Sequence, residues 1–207
     1  MPQPTVTYLF DPLCGWCYGA TPMIARLRAA GVALDALPTG LFAGDGKRRM
    51  PPGFAGHAWE SDQRIARLSG QPFSQAYRQN VLGVPDAGFD LLNANCAIAA
   101  AGADVDDRLA ALRAIQAARY VQGRDITDAA TLAEVLREAG LAQAAQRLSG
   151  PDPALAQETE ALVARGAALF RSLGADGVPA LAVDGQRLLP AGTLFGNPEA
   201  LLAQIAR

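Results

Sequence analysis

The stretch LFDPLCGWCYGATP, residues 9–22, holds two of the chain's three cysteines in a C-x-x-C spacing around Gly15 and Trp16. That spacing suits a metal clip, a structural disulfide or a redox pair, and its surroundings separate the three. Thr5 to Phe10 is rich in β-branched and aromatic residues and reads as a strand. Asp11-Pro12 breaks it. A helix is predicted from about Cys14 to Ala30, with Gly31 as its stop signal and Pro22 as a kink. Val32 to Leu37 reads as a second strand, closed by Pro38. A β-α-β unit with short connections favours a parallel pair and a right-handed crossover. Cys14 then falls at a helix N-terminus, where free N–H groups and a partial positive charge stabilise the thiolate, the reactive form of cysteine. Cys17, one turn on, is placed to close a disulfide with Cys14. A structural staple does not require that position; a redox nucleophile does.

Working outward, Leu41 to Pro52 reads as a loop, with Gly44, Gly46, Pro51 and Pro52. From about Gly53 to Leu173 the chain is alanine-rich and helical in period. Asn93–Ala101, Val105–Val121, Ala129–Ala139 and Pro153–Leu173 are the clearest segments. Asp152-Pro153 offers an N-cap and an N1 proline, and Thr127 and Asp128 offer caps for the helix that follows them. Strand signals return at Ala180–Val183 and Arg187–Leu189. Asp184-Gly185 lies between them, a strong hairpin signal. Gly196-Asn197-Pro198 opens a last helix over Glu199–Ala206. The ends of the chain are therefore α/β and the middle helical. The expected division is an α/β domain from residues 1–40 and 175–207, interrupted by an all-helical insertion at 41–174.

The bulk composition excludes several classes. Half of the 207 residues are apolar, which is enough for a sizeable core without disulfide staples. The formal net charge is −2, and no Lys/Arg run exceeds Lys47-Arg48-Arg49, read as a solvated loop. Binding to nucleic acid through phosphate contacts is not expected. The N-terminal MPQPTVTYLFDP lacks a basic and an apolar signal region, and no segment approaches the ~20 apolar residues of a membrane helix. A cytoplasmic chain is expected, and in a reducing cytosol a C-x-x-C pair points to catalysis or metal binding.

Strand, C-x-x-C, kinked helix and a late Val178-Pro179 before a hairpin together resemble the thioredoxin fold. The helical insertion resembles that of the DsbA family of thiol-disulfide oxidoreductases. Pro22 stands five residues after Cys17, where thioredoxins carry a kinking proline. Val178-Pro179 is similar to the family's cis-proline, which faces the cysteines and lends its backbone to the substrate; a cis bond is tolerable before proline and costly elsewhere. The stretch ARYVQGRDITD, residues 118–128, resembles the cytosolic, signal-less branch of the family, called disulfide isomerase-like or FrnE-like. The resemblance implies Cys14 as nucleophile and Cys17 as resolving thiol. It implies Val178 and Pro179 as walls of the substrate groove, with Gly15 and Trp16 tuning potential and contacts. Trp16 has a competing reading as simple packing over the helix start. Substrates would be disulfide- or thiol-bearing proteins or small molecules. No bound cofactor is implied, and glutathione or a thioredoxin system would serve as electron donor.

Two departures bear on the chemistry. Gly15-Trp16 supplies no histidine beside the thiolate, in contrast to the Pro-His of strongly oxidising relatives, so a less oxidising couple is expected. Thioredoxin-like enzymes often bury a carboxylate six residues before the first cysteine; here that position is Tyr8, and Asp11 is the nearest acid and the candidate for proton handling. Three alternatives stand beside this reading. A zinc site could draw on Cys14, Cys17, Cys96 and His57, but two of these stand alone and far from the motif. Cys96, in LLNANCAIAAA, reads as core packing, and His57 as a surface or packing residue. A glutathione-dependent transferase or isomerase of the kappa-like branch shares the insertion, but typically bears serine at the first motif position. A chaperone module that kept the fold is the non-catalytic option.

Overall fold

The computed structural model describes residues 3–41, 48–49, 53–84, 88–150 and 152–207. Strand β1 (Thr5–Phe10) leads into helix α1 (Gly15–Ala29) and strand β2 (Ala33–Pro38), and β1 and β2 pair in parallel from Thr5↔Ala33 to Phe10↔Pro38. Near the C-terminus, β5 (Ala180–Val183) and β6 (Arg187–Leu189) form a hairpin whose first strand pairs antiparallel with β1. The sheet order is β2-β1-β5-β6. The hairpin turn works as its residues demand: three residues, 184–186, join Val183 to its partner Arg187, and Asp184 (φ 52°) and Gly185 (φ 66°) both take the left-handed backbone the reversal needs. Helix α9 (Pro198–Ile205) closes the chain, capped by the Asn197 side chain.

Between these ends run α2 (Phe54–Ser69), a single turn α3 (Gln75–Tyr77) continued as a π-turn over Arg78–Leu82, then α4 (Leu92–Ala100), α5 (Val105–Tyr120), α6 (Ala129–Glu138), α7 (Ala142–Ser149) and α8 (Pro153–Ser172). Among the described residues of this stretch, the regular elements are helical but for one pair of short strands. Arg48–Arg49 (β3) pair antiparallel with Gly88–Phe89 (β4), so part of the expected loop is strand. A two-residue ladder is too short to leave a hydrophobic period in the sequence. Lys47 and the expected turn residues Gly44, Gly46, Pro51 and Pro52 lie outside the described residues. No helix among the described residues is long and apolar enough to cross a membrane.

Two packing features set the position of α1. Its buried face, including Cys17, Ala20, Ile24 and Leu27, has the three-to-four spacing of a helical stripe and joins the main core with Val6, Leu9 and Leu181. On its other side, Tyr18 stacks on Tyr120 (centroids 4.9 Å) within a second cluster with Phe73, Tyr77 and Ile65. Gly19 lets α2 approach, since a Cβ there would collide with Ile65. The insertion thus packs directly against the helix that carries the two cysteines.

Candidate redox site

Cys14 is the N-cap of α1, with extended backbone (φ −86°, ψ 116°), and its Sγ accepts the Cys17 N–H at 3.4 Å. A cap position normally filled by Ser, Thr, Asp or Asn is here filled by a sulfur. The Cys14 thiol also donates to the Val178 carbonyl at 3.5 Å, and the Val178–Pro179 peptide is cis. Residues 164 positions apart in sequence therefore meet at the start of α1. All three cysteines are free thiols.

Cys17 is fully buried. Burial pushes its thiol well above the ordinary value, and its hydrogen bond and charge coupling to Cys14 act the same way. The pair is thus asymmetric: a part-exposed sulfur at the helix start and an enclosed one a turn behind it. Tyr8 lies beneath them, buried, its hydroxyl donating to the Cys17 carbonyl at 3.1 Å. Burial, then the charges of Cys17 and Cys14, holds the phenol above its ordinary range, so it stays a neutral donor.

Asp11 is also fully buried. Its carboxylate accepts from the Thr39 hydroxyl (2.8 Å) and from the Gly40 and Leu41 N–H groups (3.0 and 3.2 Å), tying the β1–α1 connection to the chain leaving β2. Burial raises it to about 6, against the opposing pull of these donors, and its charge bears on Cys17.

Trp16 is half-buried, edge-on to Phe195 (5.3 Å) with the Arg64 guanidinium over its ring at 6.0 Å. It forms one wall of a groove of about 630 Å³ that continues over Val178, Pro179, Leu189 and Pro190. Trp16 thus both packs over the helix start and faces the groove. Gly15 is required by a close neighbour, because a Cβ there would stand 2.5 Å from Asp62 Oδ1.

Asp62 was not among the residues singled out in the sequence, nor were Tyr77, Arg119 and Tyr120, which meet it. Asp62 is buried on α2 and accepts the Tyr77 hydroxyl at 2.9 Å. The Arg119 guanidinium lies over the rings of Tyr77 and Tyr120, 5.6 Å from each centroid. The Tyr120 hydroxyl donates to the Leu13 carbonyl at 2.7 Å, just before Cys14. A signal existed: Ala58, Asp62, Ile65 and Ser69 recur at helical spacing, which places one acid on the inward stripe of α2.

The remaining candidates lie elsewhere. His57 is exposed on α2. Cys96 is only half-buried on α4, so the core-packing expectation is corrected; the neighbours Asn95 and Ala97 take the inward face. Cys14, Cys17, Cys96 and His57 do not converge, and no group of three or more His, Cys, Asp or Glu among the described residues could hold a metal ion.

Comparison with known proteins bears on this geometry. The family described as DSBA-like thioredoxin domain matches residues 5–204. No curated protein matches. Among solved structures, the cytosolic disulfide reductase DsbM from Pseudomonas aeruginosa is 34% identical with a TM-score of 0.81, over 97% of each chain. A second structure of DsbM, with GSH, is 32% identical at the same TM-score, over 97% of this chain and 98% of that one. A candidate protein disulfide isomerase from Nitrosomonas europaea (20% identity, TM-score 0.73, 98% and 99% of the two chains) is a likeness of fold alone. So is a 2-hydroxychromene-2-carboxylate isomerase (18%, 0.66, 97% and 95%).

Proposed function

This chain belongs to the DSBA-like thioredoxin domain family, and from that premise we propose that it is a thiol-disulfide oxidoreductase working as a disulfide reductase. The observation that carries the reading is the meeting of Cys14 with the Val178 carbonyl beside the cis Pro179, with Cys17 enclosed one turn behind. In this reading residues 1–40 and 175–207 form the catalytic frame, and 41–174 the insertion packed against it.

The Cys14 thiolate attacks one sulfur of a substrate disulfide, held in the groove between Trp16 and Pro179. A Cys14–substrate disulfide forms and the other substrate sulfur leaves as a thiolate. Cys17 then loses its proton, and its sulfur attacks Cys14 Sγ. The bond to substrate breaks, the second substrate thiol leaves, and the Cys14–Cys17 disulfide remains. The substrate has gained two electrons and the pair has lost two. Asp11, buried and with its charge bearing on Cys17, is the candidate acceptor for the Cys17 proton. Two glutathione molecules or a thioredoxin system would return the electrons. The Pseudomonas reductase of similar sequence supports glutathione and a cytosolic site of action, being described as cytosolic and solved with GSH. A transferase or isomerase chemistry would leave Cys17 without a role.

The test is trapping. Cys17→Ser incubated with glutathione disulfide should carry one glutathione on Cys14, read by mass of the intact chain and its peptides, and Cys14→Ser should carry none there. Absence of the adduct on Cys14, or an adduct on Cys96 alone, would reject the assignment.

A further inference from the structure

Asp62 has no evident reason to be an acid. Its neighbours on the inward stripe of α2, Ala58 and Ile65, are apolar, and a buried carboxylate costs stability unless something requires it. It is 5% exposed. One oxygen, Oδ2, takes the Tyr77 hydroxyl at 2.9 Å. The other, Oδ1, fills the space a side chain on residue 15 would need, 2.5 Å from that Cβ position. Gly15 directly follows Cys14. A Cβ lies about 1.5 Å from its Cα and successive Cα atoms about 3.8 Å apart, so Oδ1 stands no more than about 8 Å from the Cys14 Cα. The first residue of the Gly-Trp dipeptide is thus glycine so that a carboxylate can sit against the turn carrying the nucleophile.

We propose that Asp62 is a positioning residue for the Cys14–Cys17 exchange: its carboxylate, seated against Gly15, disfavours the Cys14 thiolate and so biases the pair toward giving up electrons. Like charges at this range oppose each other. A dithiol whose thiolate is disfavoured is the less stable partner of its disulfide, which makes the couple more reducing. The inference rests on the oxidoreductase reading above and supplies its direction.

The groups that face Asp62 set the size of the effect. Tyr77 comes from α3, Arg119 and Tyr120 from α5, and Gly15 from the start of α1. Arg119 offsets part of the carboxylate's charge and is unchanged in the variant, so neutralising Asp62 removes one negative charge, which favours the thiolate. Burial raises Asp62 to about 6, with the Tyr77 hydrogen bond and Arg119 pulling the other way, so the bias is present at pH 7 and fades below pH 6. Asp11, also raised to about 6, bears on Cys17, and replacing it tells which of the two acids sets the profile. Cys14 Sγ lies up to about 3 Å beyond its Cα, and across about 11 Å at an effective dielectric of about 20 a unit charge shifts the thiol–thiolate equilibrium about tenfold.

The experiment uses the full chain with Cys96→Ser, comparing Asp62 with Asp62→Asn, Tyr77→Phe and Asp11→Asn. Two readouts are taken: the redox equilibrium of the pair in glutathione buffers, and the rate of Cys14 alkylation by iodoacetamide from pH 4.5 to 9. At pH 7 Asp62→Asn should lower the [GSH]²/[GSSG] midpoint and speed alkylation, by factors whose product is about ten. Its profile should lose an inflection near pH 6 that Asp11→Asn keeps. Tyr77→Phe, which removes a donor to the carboxylate, should move that inflection upward. An unchanged midpoint and profile in Asp62→Asn overturns the proposal, as does an inflection that vanishes with Asp11→Asn instead. If Asp62→Asn does not fold, an inflection left in place by Tyr77→Phe overturns it. A pair with no transition in any glutathione buffer would reject the oxidoreductase reading, and the alkylation profile would still decide the role of Asp62.

Discussion

Replacing Asp11 by asparagine should make the folded chain less sensitive to pH between 4 and 7. Two effects compete at this carboxylate. Three donors, the Thr39 hydroxyl and the Gly40 and Leu41 N–H groups, favour its ionised form, and such an arrangement alone pulls a carboxyl well below its ordinary range. Complete burial opposes ionisation, and it wins, placing the folded group at about 6. An unfolded aspartate titrates near 3.9. Below that value both states are protonated and the fold bears no cost. As pH rises from about 4 to 6 the unfolded chain releases its proton first, so stability falls, and above 6 the full loss is in place. The gap corresponds to about 3 kcal/mol. The assay is urea denaturation of both proteins at pH 4, 5, 6 and 7. The stability of Asp11→Asn relative to the unsubstituted chain should rise by about 2 kcal/mol across that range, since part of the loss is already present at pH 4, whatever offset the amide introduces there. Taking the difference cancels Asp62 and every other group common to the two chains. A flat difference, or one that falls with pH, would show that the three donors outweigh burial and that Asp11 is a fixed anion unsuited to accept the Cys17 proton.

Gly166→Ala should cost about 2 kcal/mol in the same assay, since the new Cβ would collide with the Pro38 carbonyl and meet Leu37 Cβ at 3.3 Å; overpacking against backbone outweighs the gain in helix propensity of about 1 kcal/mol. Asp128→Ala removes the side chain that accepts the Thr131 N–H at 2.8 Å and should cost about 1 kcal/mol, read as a lower urea midpoint with unchanged slope. Trp16→Ala opens one wall of the groove; KM for a protein disulfide should rise about tenfold while the rate with a small aromatic disulfide stays within a factor of two, and an equal loss on both would assign Trp16 to packing alone.

The parts of the fold legible in the sequence are those governed by local chemistry. The β1–α1–β2 unit follows from a β-branched run, the Asp11-Pro12 break and the Gly31 stop. The β5–β6 hairpin follows from Asp184-Gly185, whose positive φ values are what that dipeptide supplies. Helices α6 and α8 announce themselves through Asp128 and Asp152, both of which cap as their types predict. Helices α2 and α7 were not singled out, and neither has a capping side chain: α2 starts at Gly53 in left-handed backbone and α7 at Leu141. At the site, Cys14 and Cys17 were legible because their spacing and their place at a helix start carry meaning within one short segment. The Val178 contact was legible only through resemblance, since nothing local joins residues 164 positions apart. The Asp62, Tyr77, Arg119 and Tyr120 cluster draws on three separate helices, and only the packing of α2 and α5 around α1 brings it together. Cys96 was misplaced because α4 is apolar on most sides, with four alanines among its nine residues, so periodicity could not tell which face turns inward.

The central claim is a reversible two-electron couple between Cys14 and Cys17, and its most direct test is their redox equilibrium in glutathione buffers, read by mass after alkylation with and without Cys96→Ser. The account predicts one transition between dithiol and disulfide, at the same midpoint in both proteins, lying on the reducing side of the glutathione pool. Thiols that stay reduced throughout, or a midpoint that moves when Cys96 is replaced, would contradict it.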